Sequence, residues 1–370
     1  MFAPTRYLDW ARRLYGTVRF DLATSGMPTV TLAELGVPPA TELDAATGTE
    51  RLREAIAAYN AVAVAEAIAS LGTSHALWLA YTSLAGPGDD VLVEEPAYEP
   101  LIRVAEGIGA RIVRFTRDAH DHFALDPDRV ARAMTPRTRV VSVTNLHNPS
   151  GVRASDDELR AVAHVAERGG AHLLVDEVYA PFDAFVDDRG VFRGSARRLA
   201  PNVVAVSSLT KCYGLGPQRI GWLLGPGHVI ARAEDAMTAC CGMLPLVHAN
   251  VALRAFARIG FLAERARTTL DGKRARVGAW VASMAAHGLG WSAPGDGLFA
   301  LVTVPGHDDL TPMIEEAARE RDVLVAAGAF FGVPNGFRVA WSAPDRVLDE
   351  GLARLADALR ERDGKMQHDH

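Results

Sequence analysis

Disulfide frameworks, basic stripes, membrane-length apolar runs and internal repeats are all missing from this 370-residue chain. Its three cysteines are Cys212 and the adjacent pair Cys240-Cys241, with no CxxC spacing. Neither a disulfide framework nor a thiolate metal site is expected. Cys212 reads as a small buried residue rather than a reactive thiol. A net charge of −6 is too mild, and of the wrong sign, for a nucleic-acid partner. No apolar run reaches spanning length, and no basic-then-apolar segment leads to a cleavage site, so a cytoplasmic protein without a membrane partner is expected. His120-Asp121-His122 and His368-Asp369-His370 lie in polar stretches with no further ligands, and read as a solvated loop and a frayed tail. No metal is expected. Gly214-Leu215-Gly216 runs into Pro217-Gln218-Arg219 and lacks the third glycine of a dinucleotide fingerprint, which argues against a Rossmann dehydrogenase.

What is present is an ordinary globular mixture, 49% hydrophobic and 23% charged, with enough apolar material for a sizeable core. The length points to two or three domains. From about residue 72 to 262, helix-length segments alternate with short β-branched runs at 91–94, 111–114, 140–143, 173–176, 203–206 and 220–224. Runs of this kind predict an α/β fold with a mainly parallel sheet covered on both faces. Helices are predicted at 75–85, 98–108, 126–134 and 155–168, the last with Ser155 as N-cap before an acidic first turn. After about 263 the pattern changes. A long helical stretch to about 287 precedes an apolar run from Leu298 to Val304, a helix at 309–321, a run ending near Trp341 and a helix at 345–361. That reads as a smaller α+β unit.

Three polar signatures fall at or just past the ends of predicted strands: Asn145-Leu146-His147-Asn148-Pro149-Ser150-Gly151, Asp176-Glu177-Val178-Tyr179, and Ser208-Leu209-Thr210-Lys211 with Arg219 eight residues on. Ligands collect at the carboxyl ends of strands in open α/β sheets, so the three converge on one sheet edge. Lys211 offers an amine for a Schiff base and then a carrier for a proton, where the plain alternative is a surface lysine beside a turn. Asp176 closes the apolar run Leu173-Leu174-Val175, and a buried carboxylate there needs a cationic partner. A protonated pyridine nitrogen is such a partner; a cap on the next segment is the plain alternative. Upstream, Gly72-Thr73-Ser74-His75-Ala76 opens an apolar helix whose free N–H groups and dipole suit an anion. The Ser208 hydroxyl and the Arg219 fork complete that site. Amine, carboxylate and anion cradle together match pyridoxal 5'-phosphate, with Thr73, Ser74, His75, Asp176, Ser208, Lys211 and Arg219 as candidate cofactor-binding residues.

On these motifs the chain resembles the fold-type I, class I/II aminotransferases from about Asp21 to Arg338. The resemblance implies a mainly parallel, seven-stranded-type sheet between helices in a large domain, 44–262. A smaller α+β domain would comprise 1–43 plus 263–370, with a disordered C-terminal tail. It implies that Asn148 and Tyr179 hydrogen-bond the ring oxygen and that Tyr98, in Glu95-Pro96-Ala97-Tyr98, stacks over the ring. Arg338, in Gly336-Phe337-Arg338-Val339-Ala340, would grip the substrate α-carboxylate, with the Gly26 backbone and Asn148 beside it. Lys211, Asp176 and Tyr179 would be the catalytic set. It also implies a homodimer, with Thr238–Leu244 lending groups across the interface. The sequence departs from the family twice. His147 replaces the usual proline before Asn148-Pro149, and Leu43 stands where a tyrosine usually reaches into the partner's site. Leu8-Asp9-Trp10, Asp21-Leu22-Ala23-Thr24-Ser25-Gly26 and His147 also resemble capreomycidine synthase-like members.

The activity implied is exchange of an amino group between an L-amino acid and a 2-oxo acid. A non-transaminating reaction on the same cofactor, elimination or cyclisation of an amino acid, is the alternative. A ligand-sensing domain without turnover is a third reading, which would be expected to lose Lys211 or Asp176. No second arginine is placed to read an acidic side chain, and Met27, Phe330 or Phe331 offer apolar recognition.

Overall fold

The computed structural model describes residues 4–36, 48–183 and 185–368; Leu43 and the expected domain boundary at 43/44 lie outside them. The chain begins with α1 (Arg6–Leu14), β1 (Phe20–Asp21), α2 (Gly48–Asn60), β2 (Ala67–Ser70) and α3 (Thr73–Leu84). It continues through β3 (Asp90–Glu95), α4 (Glu99–Gly107), β4 (Arg111–Thr116), α5 (Pro127–Ala133), β5 (Thr138–Thr144) and α6 (Asp156–Arg168). Then come β6 (His172–Asp176), α7 (Ala180–Asp183), β7 (Val203–Ser208), β8 (Gly221–Leu224) and the helices α8 (Gly227–Cys241), α9 (Leu246–Ala257), α10 (Ile259–Leu270) and α11 (Lys273–Ser283). The last part holds β9 (Gly290–Trp291), β10 (Phe299–Thr303), α12 (Thr311–Glu320), β11 (Val323–Leu324), β12 (Ala326–Ala327), β13 (Gly336–Ala340) and α13 (Asp345–His368).

The main sheet has seven strands in the order β2-β8-β7-β6-β5-β3-β4, parallel from β7 through to β4, with β8 antiparallel to both its neighbours. All six β-branched runs read from the sequence are strands of this sheet. Both faces are covered, and side chains alternate between them as strand geometry requires. Val91, Val93 and Leu174 face the core that holds α2, α3, α8, α9 and α10, whereas Leu92, Leu173 and Val175 face α5 and α6. On α6 the apolar stripe Leu159, Val162, Ala163 and Ala166 has helical spacing. Its start is fixed as expected: Ser155 Oγ accepts from the Glu158 amide, and the Glu158 carboxylate accepts from the Ser155 amide.

A four-stranded antiparallel sheet, β12-β13-β10-β9, packs with α11, α12 and α13 around Val281, Val302, Ile314, Val339 and Leu352. The N-terminal segment joins both parts. Its β1 pairs in parallel with β11, putting Phe20 and Leu22 into the smaller core, while Met27 and Val30 pack in the larger one.

Three features differ from expectation. Ala67-Ile68-Ala69-Ser70 forms the edge strand β2, although its alanines give no β signal. The helical stretch placed at 263–287 is two helices, because Gly272 takes a left-handed φ of +69° and stops α10. The last helix runs on to His368 rather than ending at 361, and residues 369–370 lie outside the described ones. Among the described residues, no single helix is long and apolar enough to cross a membrane.

Candidate active site

Strands β5, β6 and β7 are neighbours, and their carboxyl ends deliver Thr144, Asp176 and Ser208 to one edge. There a cleft of about 220 Å³ is lined by Tyr98, Asn148, Asp176, Tyr179, Ser208 and Lys211, with Thr73, Ser74 and Arg219 at its anion-seeking end. Leu8, Thr144, Val178 and Thr210 complete the wall. Nine of the predicted site residues are thus brought together. Gly26, His75 and Arg338 stand outside the lining.

The anion end is built where three elements meet too closely for side chains. Gly72, just before α3, has φ +77°, and a Cβ there would stand 2.5 Å from the Arg219 guanidinium. At Gly221, the first residue of β8, a Cβ would lie 2.6 Å from the Gly72 backbone. No side chain caps α3, so the amides of its first turn are left for a ligand. The Thr73 hydroxyl donates to Ser208 Oγ (3.0 Å), which also receives the Thr210 amide (3.3 Å). Thr210 Oγ1 is buried without a partner. Arg219 itself takes a left-handed φ of +52° beneath this group. Free amides, hydroxyls and a guanidinium form a donor set suited to a phosphate dianion. The His75 ring does not join it. Its Nδ1 accepts the Leu71 amide (3.2 Å) and its ring leans on Trp78 (6.0 Å), so it closes the turn into α3.

At the other end Asp176 is buried, and burial pushes its carboxyl up to about 7. The Val178 amide (3.1 Å) and the charge of Lys211 draw it down, and Glu94 pushes it up. A cation in the cleft would settle this carboxylate in its charged form. Beneath it runs a buried chain that sequence reading missed. Arg117 Nη1 donates to Glu94 (2.9 Å), and Glu94 accepts both the amide (2.7 Å) and the hydroxyl (2.6 Å) of Thr144. Thr144 Oγ1 in turn accepts the Asn148 amide (2.8 Å). The loop that presents Asn148 is therefore pinned to an ion pair with no solvent exposure on either side chain.

His147 belongs to that support and not to the cleft lining. The Pro96 carbonyl can only accept, so His147 Nε2 carries the proton toward it (3.0 Å) and Nδ1 accepts from the Ser150 hydroxyl (2.6 Å). Burial, and then Arg117, push its pKa well below the usual range, so the ring is neutral. It ties the Asn148 loop to the loop bearing Tyr98. Tyr179 Oη donates to Ser25 Oγ (3.0 Å), and its ring meets Phe299 edge-on (4.7 Å). Gly26 sits against the Lys211 stem, where a Cβ would lie 3.7 Å from Cδ, and the Met27 amide donates to the Lys211 carbonyl (3.0 Å). Cys212 is buried, and burial pushes its thiol up, in line with the inert reading.

Arg338 is wholly buried on β13, behind Asn148. Its Nη1 donates to Asn148 Oδ1 and its Nη2 to Tyr7 Oη, both at 2.7 Å, while Nε has no partner. The rings of Phe331, Phe299 and Tyr7 surround the guanidinium at 4.9–5.3 Å. Among the described residues no carboxylate pairs with this buried cation. An anionic ligand would supply what the protein withholds.

A model of the aminotransferase class I and II family matches residues 40–355. Capreomycidine synthase from Streptomyces vinaceus is 30% identical over 367 residues, covering 95% of this chain and 92% of its own. A probable N-succinyldiaminopimelate aminotransferase, DapC, of Mycobacterium tuberculosis is 30% identical over 314 residues, 79% of this chain and 76% of its own. Among solved structures, the PLP-dependent cyclase OrfR superposes with a TM-score of 0.86 at 25% identity, covering 98% of both chains. Fold, family match and relatives agree, and the chain belongs to the class I and II aminotransferases.

Proposed function

We propose that this protein is a pyridoxal-phosphate-dependent aminotransferase that moves an amino group between an L-amino acid and a 2-oxo acid. The observation that carries this reading is the pairing, across one cleft, of a buried carboxylate held near neutrality with an uncapped helix start beside Arg219. A ligand that joins a phosphate to a basic ring nitrogen answers both ends.

Thr73, Ser74, Ser208 and Arg219 would hold the phosphate, Asp176 the protonated ring nitrogen, and Asn148 with Tyr179 the ring oxygen, with Tyr98 as the ring's cover. Pyridoxal phosphate supplies a carbonyl carbon for the amino group and a ring that withdraws electrons from the substrate Cα. The protein does the rest. Asp176, ionised by its new partner, keeps the ring nitrogen protonated. The Lys211 amine would hold the cofactor through its carbonyl carbon and, once released by the substrate amine, would serve as the base and acid for the proton at the substrate Cα. Arg338 binds the α-carboxylate and so fixes which Cα bond faces Lys211.

The enzyme is further proposed to be a cytoplasmic homodimer. Met243 (58% exposed), within the proposed interface strip Thr238–Leu244, and Val247 (47%), just past it, are exposed apolar side chains that support the dimer. A second reading, elimination or cyclisation of an amino acid, is favoured by the likeness to capreomycidine synthase along 95% of the chain.

Product analysis across the amino acids, with 2-oxoglutarate present and absent, separates the two. Transamination consumes the oxo acid one for one and yields glutamate. An amino acid converted at full rate without any oxo acid would overturn the aminotransferase reading in favour of the second.

A further inference from the structure

The first helix carries a residue whose position only the fold reveals. We propose that Tyr7, backed by Tyr15, positions Arg338 for the substrate carboxylate, making α1 a working part of the substrate site. The proposal rests on the reading of Arg338 as the carboxylate-binding residue.

Proton bookkeeping fixes the direction of each bond. The Ala23 carbonyl can only accept, so the Tyr15 hydroxyl spends its single proton there (3.0 Å). Tyr15 Oη lies 2.8 Å from Tyr7 Oη and has no second proton, so Tyr7 is the donor of that pair. Tyr7 Oη is left with lone pairs alone, and Arg338 Nη2 donates to it at 2.7 Å. A phenol spent in this way cannot act as an acid toward a ligand. Its remaining capacity is to hold the guanidinium, and the charges of Arg338 and Lys211 draw its pKa down against burial.

The fork is thereby gripped from two sides. Asn148, on the loop after β5, takes Nη1, and Tyr7 takes Nη2, each at 2.7 Å. With both ends held, rotation of the guanidinium plane is blocked before any carboxylate arrives, which lowers the ordering cost of binding. The helix is itself anchored. The Tyr7 amide donates to Glu99 Oε2 (2.8 Å) at the start of α4, next to Tyr98. Its ring packs on Trp10, Tyr98, Phe330 and Phe331 at 5.6–6.1 Å. Immediately after it, Leu8 lines the cleft.

Tyr7→Phe keeps the ring, its packing and the amide bond to Glu99, and removes only the oxygen. We expect KM for the amino acid and the oxo acid to rise together by about ten-fold, the worth of one hydrogen bond to a charged group, with kcat within about two-fold. Calorimetric binding of 3-phenylpropionate, a carboxylate with no amino group, should weaken by the same factor. Tyr15→Phe, which leaves Arg338 its acceptor but strands the Tyr7 proton, should raise both constants about three-fold. That variant also carries the test should Tyr7→Phe not fold. Constants within about two-fold of wild type in both variants, or a fall in KM, would overturn the proposal, because no hydrogen bond of this kind would then be at work. A wild-type protein with no transaminase turnover would count against the proposed function. The calorimetric comparison would still decide the role of Tyr7.

Discussion

Asp176 shows how burial sets the chemistry of one side chain. Without a cationic partner its folded pKa, about 7, stands above the ordinary aspartate value of 3.8. The proton is then bound more tightly in the folded state than in the unfolded one. The stability this gives is present in full below pH 4 and lost as pH rises through 7. Glu177, also pushed up to about 7 by burial and then by Asp176, adds a loss of the same sign. The cofactor-free protein should therefore lose thermal stability from pH 5 to pH 7.5. Asp176→Asn should remove about half of that slope or more, since it also relieves Glu177. Added pyridoxal phosphate should flatten the slope for the wild type alone. Calorimetric scans across pH measure this directly, and a slope unchanged in the variant would mean that Asp176 is ionised without a ligand.

Among the elements, the start of α3 is the most constrained. Gly72 combines φ +77° with ψ 175°, a region that residues with a Cβ scarcely enter. Gly72→Ala should cost about 1–3 kcal/mol of stability in backbone strain and push Arg219 out of place. Cofactor affinity by equilibrium dialysis should fall at least about ten-fold, since a phosphate contact to arginine is lost with the amide geometry. An alanine variant that held the cofactor as wild type does would show that the phosphate is bound elsewhere. This glycine was legible in the sequence, because a glycine before an uncapped apolar helix signals an anion site at short range. The β-branched strands and the capping box of α6 were legible for the same reason: their determinants are local. The short strand Ala67–Ser70 was not. Its alanines become strand only by pairing with β8, as residues 223 and 224 fall opposite 68 and 67. Glu94, Arg117 and Thr144 were equally silent, because charge inside a strand pattern says nothing of a partner until three strands align. The motif places the His75 amide at the helix start, and only the fold shows where its ring goes, to the Leu71 amide.

Across the whole molecule, the two ends of the site differ in how far apart their residues lie in the chain. The residues proposed to hold the cofactor, Thr73 to Arg219, belong to one continuous stretch around one sheet. The proposed carboxylate site does not. Tyr7 and Arg338 are 331 residues apart, and β1 finds its partner only at β11. Phe20, Leu22 and Trp10 pack in clusters whose other members include residues beyond 320, so their burial needs the last part of the chain. Closing so long a loop is the slow, entropically costly part of assembly. Affinity for pyridoxal phosphate should accordingly return first in refolding, with affinity for carboxylates following in a separate and later phase. Stopped-flow traces of cofactor absorbance and of 3-phenylpropionate binding would show the lag, and a single shared phase would contradict it. The Tyr7–Arg338 bond joins segments 331 residues apart, so the proposed carboxylate site is a product of tertiary closure, whereas the proposed cofactor cradle is assembled around a single sheet.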